Sequence, residues 1–142
     1  MKELKEILFG VNIDSVYGDT NLSISGISFD SRQIKQNNIF IAIKGYDLDG
    51  HNYIDQSINN GASVVVCEKL PKKINEYEIV FIKVKCSKTA LYTISSNFYG
   101  NPSSKIDLIG VTGTNGKTTI TSLLYKLFNN QGIKSGLIST IS

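Results

Sequence analysis

Gly113-Thr114-Asn115-Gly116-Lys117-Thr118-Thr119 is the segment of this chain whose residue types and spacing are best suited to chemistry. The apolar run Ile106 to Val111 leads into it, and an amphipathic stretch from Lys117 to Gln131 leads away. A strand, a glycine-bearing loop and a helix in that order aim backbone N–H groups and the positive helix end at one point, which favours phosphate. Gly113 and Gly116 let the backbone approach phosphate oxygens with no side chain in the way. Lys117 is placed to meet the β- and γ-phosphates of a nucleotide and is the candidate catalytic residue, while the Thr118 hydroxyl is placed to reach Mg²⁺. The strict pattern G-x-x-x-x-G-K-[ST] requires glycine at position 111, where Val111 stands, with Gly110 one residue too early. The competing reading of the segment is a plain glycine turn with a surface lysine.

Other reactive side chains are sparse. His51 is the single histidine; it follows Asp49-Gly50 with no Ser or Cys partner at catalytic spacing, so a structural or helix-start role fits it better than catalysis. Cys67 and Cys86 form no CxxC pair and have no metal spacing. Cys67 closes the run Val64-Val65-Val66 and is expected to be a buried free thiol.

The elements that must position the loop follow from hydrophobic periodicity. Leu4, Ile7 and Leu8 predict a short opening helix. Leu22 and Ile24 alternate with serines, and Ile27 and Phe29 resume after a one-residue slip at Gly26, the pattern of a bulged strand. Asp30-Ser31-Arg32 is a polar turn. Ile39 to Ile43, Ser63 to Cys67 and Ile79 to Val84 predict buried strands. Tyr53, Ile54, Ser57 and Ile58 share a face of a short helix stopped at Asn60-Gly61, and a longer helix starts at Lys88 with Leu91, Ile94, Ser95 and Phe98 together. Gly100-Asn101-Pro102-Ser103-Ser104 has the composition of a domain boundary. Beyond it we expect a strand over Ile106–Val111, a helix over Lys117–Gln131 whose Ile120, Leu123, Leu124, Leu127 and Phe128 face a core, and another strand from Lys134 to Ser142.

Strands alternating with helices on both sides of the boundary indicate an α/β fold. The expected layout is a small α/β domain over residues 1–101 and, over 105–142, the start of a P-loop-type α/β domain. One βαβ unit cannot cover both faces of a parallel sheet, so the second domain reads as truncated. Of the 142 residues, 41% are hydrophobic and 19% charged, with a net charge of +3. That is ordinary globular composition, suited to a small anionic ligand and well short of a nucleic-acid-binding signature. The charged start Met1 to Glu6 precedes only three apolar residues, so neither a secretory signal nor a membrane span is expected, and the cytoplasm is.

Thr112 to Thr119 resembles the ATP loop of the Mur ligases, which carries TGTNGKTT in place of the strict pattern and so accounts for Val111. Phe29-Asp30-Ser31-Arg32, Ile39 to Gly45, Asp49-Gly50-His51 and Gly61-Ala62 resemble the N-terminal domain shared by two branches of that family. One branch adds the third residue of the cell-wall stem peptide, the other the terminal dipeptide. Phe98 to Ser103, running into Ile109 to Gly116, is more similar to the first; the dipeptide-adding branch usually has serine at the position of Thr114. The resemblance runs from about Leu22 onward. It implies a UDP-MurNAc-binding N-terminal domain, with Ser31 on the nucleotide sugar, Phe29 beside it and Tyr46-Asp47-Leu48 after the strand. It also implies ATP held by Gly113 to Thr119, Mg²⁺ at Thr118, and amide formation through an acyl phosphate.

The substrates so implied are UDP-MurNAc-L-Ala-D-Glu and a diamino acid, the latter either meso-diaminopimelate or lysine. No nucleic acid partner is expected, and the protein is expected to be a monomer. From the residues alone, Ser31 and Arg32 fit equally a self-capping turn, and Tyr46-Asp47-Leu48 an ordinary surface loop. No acidic residue follows the phosphate loop, so the piece itself is expected to be inactive. The alternatives are the dipeptide-adding branch, another member of the superfamily, or a non-catalytic module that binds UDP-sugar or ATP.

Overall fold

The computed structural model describes residues 1–140 and divides into two compact units, Met1–Pro102 and a second from Ser103 onward. In the first unit the elements run β1 (Lys2–Glu3), α1 (Leu4–Ile7), β2 (Ile13–Tyr17), β3 (Ser23–Ile24), β4 (Gly26–Ser28), β5 (Asn38–Ile41), α2 (Ile54–Asn59), β6 (Ala62–Cys67), β7 (Val80–Val84) and α3 (Ser87–Phe98). The main sheet has the order β2-β7-β6-β5-β4; β4 to β7 are parallel and β2 is antiparallel to β7. The parallel strands therefore end on one edge, where Phe29, Ala42, Glu68 and Lys85 follow them.

Both faces of this sheet are covered, which explains why β5 and β6 are apolar without alternation. Ile39, Ile41, Val64, Val66 and Ile82 share one core with Leu4 and Ile7 of α1 and Ala90 and Ile94 of α3. Phe40, Val65, Cys67 and Phe81 share the other with Ile34 and with Ile54 of α2. Two residues apart on a strand means the same face, so each strand feeds both cores at once.

One expected strand is two. Ser23–Ile24 pairs antiparallel with β1 in a separate two-stranded sheet, while Gly26–Ser28 joins the main sheet beside β5. Between them the Ser25 amide donates to the Asn37 carbonyl at 2.9 Å, and its hydroxyl to the Gln36 carbonyl at 2.7 Å. The one-residue slip in the hydrophobic pattern marks a change of sheet, not a bulge.

A 3₁₀ turn at Pro102–Lys105 spans the boundary between the units, and the second holds the helix α4 (Lys117–Asn130), which ends before Gly132 at φ +78°. The strand expected over Ile106–Val111 is absent, and Ile106, Leu108 and Ile109 are exposed. Residues 134–140 also form no strand; Ile141 and Ser142 lie outside the described residues. A strand needs a neighbour to complete its ladder, and none is available among the described residues of this unit. The stripe on α4 likewise meets no core: Ile120, Leu123 and Leu127 are exposed and no residue of the helix is buried. Among the described residues no helix is long and apolar enough to cross a membrane.

Candidate functional site

The C-terminal edge of a parallel sheet is where α/β proteins characteristically bind ligands, and the structure brings several of the expected residues to that edge. After β4 the chain turns through Asp30, whose carboxylate accepts from the Arg32 amide at 3.0 Å and caps the 3₁₀ turn Ser31–Gln33. The Arg32 guanidinium returns to the same carboxylate through Nε at 2.9 Å and Nη2 at 2.8 Å. This contact first, and the Arg32 amide second, hold the Asp30 carboxyl below its ordinary pKa. Arg32 is thereby neutralised locally.

Ser31 points inward. It is 6% exposed, its hydroxyl donates to Gln56 Oε1 at 2.9 Å, and its carbonyl accepts from Asn60 Nδ2 at 2.8 Å. Gln56 lies in α2 and Asn60 is the residue that ends it, four positions on, so one helix and its cap fix both ends of the serine. Phe29 beside it is 62% exposed.

After β5 the chain makes a tight reversal. Lys44 and Asp49 bridge antiparallel, and the Gly45 amide donates to the Leu48 carbonyl at 2.8 Å. Tyr46, Asp47 and Leu48 form the tip, Tyr46 fully in solvent and Leu48 66% exposed. Exposed aromatic and aliphatic groups on a hydrogen-bonded loop are suited to a base or sugar face. Gly50 then packs on Ile43 so closely that a Cβ would lie 2.7 Å from its amide nitrogen.

His51 follows and is nearly buried, with 13% of its side chain exposed. Its Nδ1 lies 2.6 Å from Asp49 Oδ1, and its Nε2 accepts from the Glu68 amide at 3.0 Å and the Lys69 amide at 3.4 Å. Amides only donate, so Nε2 carries the lone pair and Nδ1 the proton. The His51 amide first, and its ring second, hold the Asp49 carboxyl below its usual value. These contacts make His51 structural, as its isolation in sequence suggested.

In the second unit the loop Gly113 to Gly116 leads directly into α4. Gly116 is the residue before the helix, at φ +76°, where a Cβ would meet nothing within 4 Å. No side chain caps the first turn of α4, so its leading amides are available to an anion. Lys117 Nζ donates to the Gly113 carbonyl and, at 3.3 Å, to the Thr114 carbonyl, folding the cation over its own loop. Asn115, Thr118 and Thr119 are exposed, and the Thr118 hydroxyl has no hydrogen-bond partner among the described residues. Open amides, a lysine over the loop and a free hydroxyl fit a polyphosphate. For Mg²⁺ this chain offers Thr118 alone, since no cluster of three His, Cys, Asp or Glu side chains occurs among the described residues.

Sequence reasoning missed the residues that hold the edge together: Gln56, Asn60 and Glu68, whose carboxylate accepts from the Ser87 amide at 2.9 Å and caps α3. The spacing of Gln56 and Asn60 was visible, but their common partner lies 25 or more residues earlier.

Comparison with known proteins places these features in a family. Residues 23–99 match the model of the Mur ligase family, catalytic domain, and residues 111–142 that of the Mur ligase middle domain. The chain is 47% identical over 139 residues to the UDP-N-acetylmuramoyl-L-alanyl-D-glutamate–2,6-diaminopimelate ligase of Phocaeicola vulgatus, covering 98% of this chain and 28% of that protein. It is 47% identical over 140 residues to the ligase of the same name from Clostridium tetani, covering 98% and 29%. The chain thus spans under a third of the length of the curated relatives it matches. Among solved structures, MurF from Acinetobacter baumannii superposes with a TM-score of 0.71 at 24% identity, over 91% of this chain and 28% of that one. MurF ligase from Thermotoga maritima, in complex with ADP, superposes with 0.56 at 29% identity, over 74% and 23%.

Proposed function

The chain belongs to the Mur ligase family, and on that premise we propose that it supplies the nucleotide-sugar unit and the phosphate loop of an ATP-dependent ligase. The ligase adds 2,6-diaminopimelate to UDP-MurNAc-L-alanyl-D-glutamate. The names of the relatives at 47% identity support this choice of substrates. The observation that carries the ATP assignment is the uncapped first turn of α4 beneath Lys117, entered through Gly116 at positive φ. The ADP complex of the Thermotoga maritima relative is consistent with it.

In this reading the γ-phosphoryl of ATP passes to a substrate carboxylate and gives an acyl phosphate. The diamino acid's amine then attacks the acyl carbon, and phosphate leaves. Little covalent work falls to the protein in the first step; positioning and charge stabilisation dominate. Lys117 leaves the carbonyls of Gly113 and Thr114 for the β- and γ-phosphates, and the amides at the head of α4 hold the oxygens. The Thr118 hydroxyl would hold Mg²⁺, which when bound would supply further neutralisation of the developing charge. The uridine end of the nucleotide sugar falls to the first unit, on the sheet edge that carries Phe29, Ser31 and Tyr46-Asp47-Leu48.

The test is ADP release by the full-length enzyme. It should require UDP-MurNAc-L-alanyl-D-glutamate and 2,6-diaminopimelate together. Release that needs the dipeptide D-alanyl-D-alanine instead would move the protein to the other branch, and release that needs no nucleotide sugar would remove the assignment.

A further inference from the structure

His51 joins three segments that no strand ladder connects. Asp49 belongs to the reversal after β5, the amides of Glu68 and Lys69 lie just past β6, and Glu68 in turn caps α3 at Ser87. Asp49 Oδ1 also accepts from the His51 amide at 3.0 Å, so one carboxylate oxygen fixes both the backbone and the ring of this residue. The ring is thus a strut between the base of the Tyr46-Asp47-Leu48 loop and the middle of the sheet edge.

We propose that His51, acting only as the neutral Nδ1–H tautomer, is the positioning residue that fixes the Tyr46-Asp47-Leu48 loop for the nucleotide sugar. The inference rests on the assignment of that loop to the nucleotide sugar. Its physical basis is the direction of the bonds at Nε2. Both partners there are backbone donors, so a proton on Nε2 would face two N–H groups and turn two attractions into repulsions. The loop would keep its own bonds, Gly45 to Leu48 and Gly50 to Ile43, but lose its attachment to the Glu68 and Lys69 amides just past β6. An intact but unattached loop binds more weakly because the ligand must then order it.

The groups around the ring are Asp49 on its own turn, Lys44 across the bridge, Glu68 and Lys69 at the end of β6, and Cys86 beside Glu68 at the start of α3. Asp49 is already committed to His51, and Glu68 to the Ser87 amide. The group whose protonation would reverse a hydrogen-bond direction at this strut is His51, through Nε2.

Calorimetric titration of UDP-MurNAc-L-alanyl-D-glutamate into the 142-residue chain, from about pH 8 to about pH 5, tests this. The wild type should lose affinity by roughly fivefold or more on the acid side, the scale of one hydrogen bond. His51→Gln keeps an acceptor toward the Glu68 and Lys69 amides and cannot gain a proton, so its affinity should be flat with pH. His51→Phe should bind weakly throughout. An acid limb of equal size in His51→Gln, or no acid limb in the wild type, would overturn the role of His51. If the variants fail to fold, ¹⁵N shifts of the wild-type ring decide: a proton on Nε2 at about pH 7.5 contradicts the proposal, and an Nδ1–H tautomer that is lost in step with ligand affinity supports it. Absence of binding by folded wild type at every pH would instead overturn the nucleotide-sugar assignment itself.

Discussion

Ser31 is a residue whose hydroxyl is already engaged, so any ligand that takes it must exchange with Gln56 or share the oxygen's lone pairs. That makes Gln56 and Asn60 the residues to change first. Gln56→Ala leaves the hydroxyl of the buried Ser31 without its acceptor, and Asn60→Ala leaves the Ser31 carbonyl without its side-chain donor. Each should cost about 1–3 kcal/mol in urea unfolding of the chain, the penalty for a polar group buried without a partner. An unchanged unfolding midpoint in both would show that the turn is held by something else. The two cysteines make a second contrast at this scale. Burial pushes the Cys67 thiol up to about 11, whereas the Thr89 hydroxyl and amide lower the exposed Cys86 thiol. A thiol reagent should label Cys86 in the native chain and reach Cys67 only after unfolding.

The sign of the Cys67 effect also follows. Its folded pKa stands above the ordinary 9.0, so its contribution to stability is complete below about 9 and is lost as pH rises toward about 11. Replacing it with valine should make the alkaline decline of the thermal midpoint shallower than in wild type. Equal declines would mean that the thiolate is tolerated in the core.

At the scale of elements, α3 and α4 have similar hydrophobic patterns and opposite surroundings. Ile94 on α3 is fully buried and Leu123 on α4 is 61% exposed. Ile94→Ala should therefore destabilise the chain by ~2–5 kcal/mol, while Leu123→Ala in the same polypeptide should change stability by less than about 0.5 kcal/mol. Comparable losses at both sites, measured by chemical denaturation, would show that α4 is packed after all. Periodicity alone could not separate these helices, because it reports which side of a helix is apolar and not whether anything lies against it. The same limit applies to Ile106–Val111, a strand by composition that has no ladder here. The buried strands β5 to β7 and helices α2 and α3 were legible because their apolar runs and glycine stops agree with packing that the first unit completes by itself. The passage from Ser23–Ile24 to Gly26–Ser28 was half legible. The slip at Gly26 was visible, but its meaning depends on which strands lie beside it, and those are β1 and β5.

For the whole molecule, the chain divides after Pro102 into two units, and the proposed function gives the nucleotide sugar to the first and the phosphates of ATP to the loop before α4. The phosphate loop was legible in sequence because its chemistry is local, carried by consecutive residues from Gly113 to Thr119. The sheet edge was legible only in part, since Gln56, Asn60, His51 and Glu68 meet their partners across long stretches of chain.

The division of labour is tested most directly by Lys117→Ala in the full-length enzyme, with ligase turnover, thermal midpoint and nucleotide-sugar affinity measured on the same preparation. Lys117 is exposed, and among the described residues its side chain bonds only to its own loop, so the midpoint should hold. In the proposed role its cation meets charge that shifts during phosphoryl transfer, so kcat should fall by about 10²–10³. Affinity for UDP-MurNAc-L-alanyl-D-glutamate should stay within about twofold, well under the tenfold that 1.4 kcal/mol would bring. Turnover like that of wild type in a folded Lys117→Ala enzyme would contradict the phosphate-loop assignment, and a parallel loss of nucleotide-sugar affinity would contradict the separation of the two sites.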